Sequence, residues 1–179
     1  MTLAGKIFGV NYIDYDFDGR HKRRGGKWLN KEICKRNLLD VKGVLEANNV
    51  PYWLMYGTLL GAVRDNDFIE YDSDTDLGLF HESIESFDIV IKELMEMGFT
   101  LIRTARCDEI VSIIRDDEYM DFDFYHHQNM PFKRLVPYSF LGSQFTIPEN
   151  PESFLTLLYG NWKQRIRNQH SVNYFGMHG

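Results

Sequence analysis

Residues Tyr56 to Phe80 read YGTLLGAVRDNDFIEYDSDTDLGLF. The run just before and into it, PYWLMYG from Pro51, is aromatic and aliphatic and reads as a short buried strand ending at Gly57. TLLGAVRDND continues it as a short helix opened by Thr58. From Asp74 the pattern alternates: Asp74, Asp76, Gly78 and Phe80 fall on one side and Thr75, Leu77 and Leu79 on the other, which is strand periodicity. Strand, tight turn, helix and strand follow one another here, and the rest of the chain is read outward from them.

Upstream, Asn30 is an N-cap for a helix whose apolar stripe is Ile33, Cys34, Leu38, Val41 and Leu45, with Asn48-Asn49 as its stop. Before it, a short strand is predicted at Lys6 to Ile13, and the basic stretch RHKRRGGKW reads as loop. Downstream, Ile84, Phe87, Ile91, Leu94 and Met95 predict a helix between Ser83 and Met97, with Gly98 as its left-handed end. FTLIRTAR, EIVSIIRD and EYMDFDFYHH then read as strands of a meander, and Asn150-Pro151-Glu152 opens a last helix that stops at Gly160. The expected fold is α/β (α+β): a mixed sheet with consecutive antiparallel neighbours, flanked by helices. Residues 1–27 are expected to form an extension, partly loop, and 28–179 a single domain.

Composition narrows the function. The chain has 179 residues, 44% of them hydrophobic, and a formal net charge of −6. That balance argues against non-specific nucleic-acid binding, which needs excess Lys and Arg. Cys34 and Cys107 show no metal-ligand or disulfide spacing. No stretch is long and apolar enough for a signal or a membrane span, so a soluble, cytoplasmic protein is expected.

The chemistry lies in three pieces. Gly57 lets the backbone turn and a ligand approach, and the N–H groups at the start of the following helix, with the Thr58 hydroxyl, make a phosphate cradle. Taken alone, Gly-Thr is better explained by a plain capped turn. Asp74 and Asp76, two apart on a strand, share a face, and paired hard oxygen ligands suit Mg²⁺ or Mn²⁺. In MDFDF, Asp121 and Asp123 share the polar side of a later strand. Together these are the parts of a metal-dependent phosphoryl or nucleotidyl transfer site, in which shared carboxylates hold two divalent ions and catalysis is mostly positioning and charge stabilisation. Of the six net negative charges, Asp72, Asp74, Asp76, Asp121 and Asp123 carry five.

The run GTLLGAVRDNDFIEYDSDTDLGLF resembles the signature of the LicD/fukutin-type phosphotransferases, a branch of the nucleotidyltransferase-fold superfamily. Weaker agreement extends through MDFDFY, Pro137 and FTIPENPESFLTLLYGNW. The resemblance implies a nucleotidyltransferase-type domain in which Gly57 and Thr58 hold the donor's phosphates and Arg64 is a further binding residue. It implies that Asp74 and Asp76 bind Mg²⁺ (or Mn²⁺), and that Asp121 or Asp123 completes the metal site, Asp123 being assigned as ligand. The general base is expected among the site carboxylates, at Asp121 or Asp123. The implied reaction moves a phosphorylated alcohol, such as phosphocholine, ribitol phosphate or glycerol phosphate, from a CDP-linked donor to a hydroxyl of a glycan or lipid-linked glycan, releasing CMP. The acceptor class is a cell-surface polysaccharide such as lipopolysaccharide, teichoic acid or capsule, which would bring the protein to the inner face of a membrane as a peripheral partner.

Two rivals share the same residues. A nucleotidyltransferase proper would attack an NTP and release diphosphate, and a binding module would keep the nucleotide site without turnover. Weaker candidates are the basic patch Arg20 to Lys27, the cations Lys133, Arg134, Lys163, Arg165 and Arg167, of which the fold could bring one or two to the cradle, His126-His127 as base or outer ligand, and Trp53, Tyr56 and Trp162 as stacking partners for a base, each with an ordinary solvent or core role as the alternative.

Overall fold

The computed structural model describes residues 3–7, 10–13, 28–70, 72–105 and 110–165. Two short strands, β1 (Leu3–Ile7) and β2 (Val10–Ile13), pair antiparallel, where the sequence pattern predicts a single strand over Lys6 to Ile13. The basic stretch Arg20 to Lys27 lies outside the described residues. Helix α1 (Lys31–Ala47) begins as its cap predicts: the Asn30 side chain accepts the Ile33 N–H at 3.3 Å, satisfying one of the donors a helix start leaves over. Cys34, Leu38, Val41 and Leu45 of the predicted stripe are buried.

Strand β3 (Tyr52–Leu54) leads into helix α2 (Tyr56–Asp65), and strand β4 (Asp74–Phe80) follows. β3 thus stops three residues before Gly57, and Gly57 and Thr58 sit inside the first turn of α2 rather than at a strand end. A single 3-10 turn, His81–Ser83, precedes helix α3 (Phe87–Glu96). The predicted helix is shorter because Ile84, Ser86 and Phe87 each bond back three residues, to His81, Ser83 and Ile84, a tighter winding than α. Gly98 takes the expected left-handed conformation, with φ 90°.

Strands β5 (Thr100–Ala105), β6 (Ile110–Arg115) and β7 (Glu118–Tyr125) form the predicted antiparallel meander. The five-stranded sheet runs β3-β4-β7-β6-β5, with β3 antiparallel and β7 parallel to β4. A hairpin without a predicted counterpart, β8 (Leu135–Phe140) and β9 (Ser143–Pro148), turns at Leu141 (φ 52°) and Gly142 (φ 80°). Helix α4 (Pro151–Tyr159) has proline in its first turn and ends at Gly160 as expected, although the Asn150 side chain makes no capping bond.

The sheet has two unlike faces. On one, Phe87 of α3 meets Phe122 (5.1 Å) and Phe124 (5.0 Å), and α1 covers the same side. On the other, the alternation of β4 and β7 places the acids. Beyond them Trp53 packs edge-on against Phe132 (5.3 Å), which meets Phe154 of α4 (5.6 Å). Room for Trp53 comes from Gly78, whose Cβ would stand 2.2 Å from the indole.

Candidate active site

The site is built on one turn and two strands. Met55 donates its N–H to the Asp76 carbonyl (3.1 Å), and the Thr58 hydroxyl oxygen accepts the Asp76 N–H (2.9 Å). The start of α2 therefore grips both backbone groups of Asp76. Leu59 makes an early intrahelical bond, to Met55 (3.0 Å); the N–H groups of Gly57 and Thr58 come before it, at the end of the helix that favours anions. Thr58 itself is buried, at 2% exposure. At Gly57 an added Cβ would stand 2.2 Å from Asp72 Oδ2. The space that the glycine opens is thus filled by the Asp72 carboxylate.

Asp74, Asp76 and Asp121 each place a carboxylate oxygen within 4.8 Å of the others. The parallel register explains the trio: Asp76 stands opposite Asp121, whereas Asp123 stands opposite Gly78, one side-chain step further along the same face. Asp121 rather than Asp123 completes the cluster. Asp76 and Asp123 are buried, and Asp74 and Asp121 are half-buried. Burial pushes the Asp76 carboxyl well above the usual range, and the charges of Asp74, Asp72, Asp123 and Asp121 push the same way. Three hard oxygen donors in this space, two of them partly open to solvent, fit Mg²⁺ or Mn²⁺.

Arg64 lies seven residues along α2 from Gly57, about 10 Å of helix rise. Its guanidinium donates to Asp65 through Nη2 (2.9 Å) and to the Trp162 carbonyl through Nη1 (3.4 Å). Asp65 also receives Arg165 (2.9 Å). Burial raises the Asp65 carboxyl, but the bonds from Arg64 and Arg165 outweigh it and hold the group below its usual value. Of the other candidate cations, Arg134 is paired with Glu149 and Lys163 with Glu152, and Arg167 lies outside the described residues. His126 and His127 follow the end of β7, about 16 Å of strand beyond Asp121, where His127 packs on Phe80 and His126 on His81. Trp53 and Trp162 are buried core.

The family model for "LicD/FKTN/FKRP, nucleotidyltransferase domain" matches residues 49–138, half of the chain. The chain belongs to this family. An uncharacterized protein of Rickettsia typhi is 31% identical over 140 residues, covering 69% of this chain and 44% of that protein. Ribitol 5-phosphate transferase FKRP of Mus musculus is 30% identical over 165 residues, covering 75% of this chain and 33% of FKRP. With 57% of a Rickettsia prowazekii relative also covered, the chain spans about half the length of its rickettsial relatives. Among solved structures, the antibiotic-resistance factor ANT(2″)-Ia matches with a TM-score of 0.51 at 13% identity, over 66% of each chain. The lincosamide antibiotic adenylyltransferase LnuA matches with a TM-score of 0.50 at 13% identity, over 68% of this chain and 84% of that one. These likenesses show a nucleotidyltransferase-like fold.

The Arg64–Trp162 bond ties α2, inside the residues that match the LicD/FKTN/FKRP model, to the segment after α4, beyond them. Two residues beside the acids carry no role predicted from sequence, although Asp72 is counted there among the site's charges. Asp72 is the contact partner of Gly57, and the acid-rich run DSDTD is the signal that could have marked it. Tyr125, whose hydroxyl lies 2.5 Å from that of Tyr56, has no sequence signal apart from its alternation with Asp121 and Asp123.

Proposed function

We propose that this LicD/FKTN/FKRP-family chain is a Mg²⁺-dependent transferase that moves a phosphorylated alcohol from a CDP-linked donor to a hydroxyl of a cell-surface glycan and releases CMP. The observation that carries the reading is the trio Asp74, Asp76 and Asp121, gathered beside the N-terminal turn of α2. Asp74, Asp76 and Asp121 would hold the ion. A bound divalent cation would supply charge neutralisation for the donor diphosphate and lower the pKa of the attacking hydroxyl. The Gly57 and Thr58 N–H groups bind donor phosphate oxygens at the positive end of α2. Asp123, on the same face outside the trio, accepts the proton of the acceptor hydroxyl at a carboxylate oxygen as that hydroxyl attacks phosphorus. Arg64 supports the site from behind by joining α2 to Trp162. Ribitol 5-phosphate is the group named in the FKRP relatives, and the phospho-alcohol class comes to this chain from that kinship. No helix among the described residues is long and apolar enough to cross a membrane.

The test is product analysis. Protein, Mg²⁺ and a glycan acceptor are incubated in turn with CDP-ribitol, CDP-glycerol, CDP-choline and CDP-ethanolamine, and CMP is measured. CMP release that disappears in Asp74→Asn and Asp121→Asn supports the reading. Diphosphate release from an NTP, or nucleotide binding with no product, overturns it in favour of a nucleotidyltransferase or a binding module.

A further inference from the structure

Tyr56, the first residue of α2, has φ 40°, a left-handed backbone in which a bulky side chain is strained. Such strain persists where the surroundings over-determine it. The Tyr56 hydroxyl meets the Tyr125 hydroxyl at 2.5 Å, both residues are buried, and Tyr125 is backed by Trp53 at 6.0 Å between ring centroids. Tyr125 ends β7 and shares its acid face with Asp121 and Asp123 by strand alternation. The residues on either side of Tyr56 are those that matter to the site. Met55 holds the Asp76 carbonyl, Gly57 lies under Asp72, and Thr58 holds the Asp76 N–H. One strained turn is therefore tied to both acid strands, to β4 through the backbone of Asp76 and to β7 through the phenol pair.

We propose that Tyr125 is a positioning residue whose hydroxyl keeps Tyr56 in its left-handed conformation, and through that turn sets the Asp76 carboxylate toward the bound cation and the Gly57 and Thr58 N–H groups toward the donor phosphates. The proposal rests on the reading of Asp74, Asp76 and Asp121 as metal ligands, and adds the device that aligns them. Tyr125 touches no reacting atom; it acts through Tyr56.

The experiment reads metal affinity rather than turnover. Free Mn²⁺ is counted by electron paramagnetic resonance during titration of wild type, Tyr125→Phe, Tyr56→Gly and the double variant. Tyr125→Phe keeps the ring and its packing and removes one hydroxyl; Mn²⁺ affinity is expected to fall at least tenfold in the folded protein. Glycine adopts positive φ unaided, so in the Tyr56→Gly background the same Tyr125→Phe change is expected to shift Mn²⁺ affinity less than twofold. A purely structural role for the hydroxyl would lower Tm in both backgrounds and leave Mn²⁺ affinity in place. If Tyr125→Phe does not fold, Tyr56→Phe breaks the same contact from the other side. Wild type that binds Mn²⁺ and a Tyr125→Phe variant that matches it overturn the proposal alone, as do equal losses in both backgrounds. Wild type that binds no Mn²⁺ overturns the metal reading and this proposal with it.

Discussion

The Thr58 hydroxyl oxygen accepts the backbone N–H of Asp76 at 2.9 Å, across 18 residues of sequence, and both residues are buried. A helix start and an acid-bearing strand are thereby locked together by one neutral hydrogen bond. Thr58→Val keeps the shape and removes the acceptor, leaving a buried N–H without its partner at a cost of about 1–3 kcal/mol. Thr58→Ser retains the oxygen and is expected to lose less. Urea denaturation of the two variants checks the order, and Ser falling below Val would contradict it.

Asp76 gives a pH dependence with a definite sign. Its folded pKa is raised by burial and by the neighbouring carboxylates, so between the unfolded value near 4 and the raised folded value the native state holds more protons than the unfolded chain. Stability is then full below the unfolded pKa and is lost as pH rises through the folded one. Without divalent cations, wild type is expected to lose stability over this rise, while Asp76→Asn shows a flatter profile and a higher Tm at neutral pH despite being inactive. Denaturation in EDTA from pH 5 to 8 makes the comparison; parallel profiles would refute it.

Gly57 and Asp72 form a contact pair that a double-mutant cycle resolves. Gly57→Ala brings its Cβ to 2.2 Å from Asp72 Oδ2, and rotation of the carboxylate limits the cost to about 1 kcal/mol. Adding Asp72→Ala is expected to return most of that loss, giving a coupling of at least about 0.5 kcal/mol. Additive losses in the cycle would mean that the two side chains do not compete for one space.

The Asp65 cluster predicts two unequal effects. Arg64 and Asp65 have side chains only 11% and 13% exposed, whereas Arg165 is 77% exposed. Asp65→Ala removes the carboxylate partner of a half-buried guanidinium and is expected to cost about 1–3 kcal/mol, while Arg165→Ala costs less than about 1 kcal/mol. Chemical denaturation decides, and equal effects would place the weight of the cluster at the surface. Since the Asp65 pKa is lowered, its share of stability is present above pH 4 and is lost as pH falls through the folded value.

Local signals with a single physical reading were legible in the sequence. The Asn30 cap with its apolar stripe, the alternation from Asp74 to Phe80 and the three-strand meander all translate a period or a cap directly into structure. The end of β3 was less so, because PYWLMYG is uniformly apolar and carries no mark of where pairing stops. The β8–β9 hairpin was hidden for a different reason: prolines lie within both strands, at Pro137 and Pro148, and its turn is Leu141-Gly142 rather than a strong hairpin dipeptide. Within the site, alternation shows that Asp121 and Asp123 share a face, yet which of them joins Asp74 and Asp76 depends on the parallel register of two strands far apart in sequence. Likewise, nothing local distinguishes Arg64 as a donor ligand from Arg64 as a link to Trp162.

The sheet consists of two sequence-local pieces, β3 with β4 and β5 with β6 and β7, each built from antiparallel neighbours. They are joined along a single parallel seam between β4 and β7, and that seam carries the acidic trio on its open side. The mutual repulsion of the carboxylates therefore acts to part the two pieces, and a cation that relieves it acts as a rivet between them. On the proposed reading, cation binding at the trio and cohesion of the whole sheet become one equilibrium.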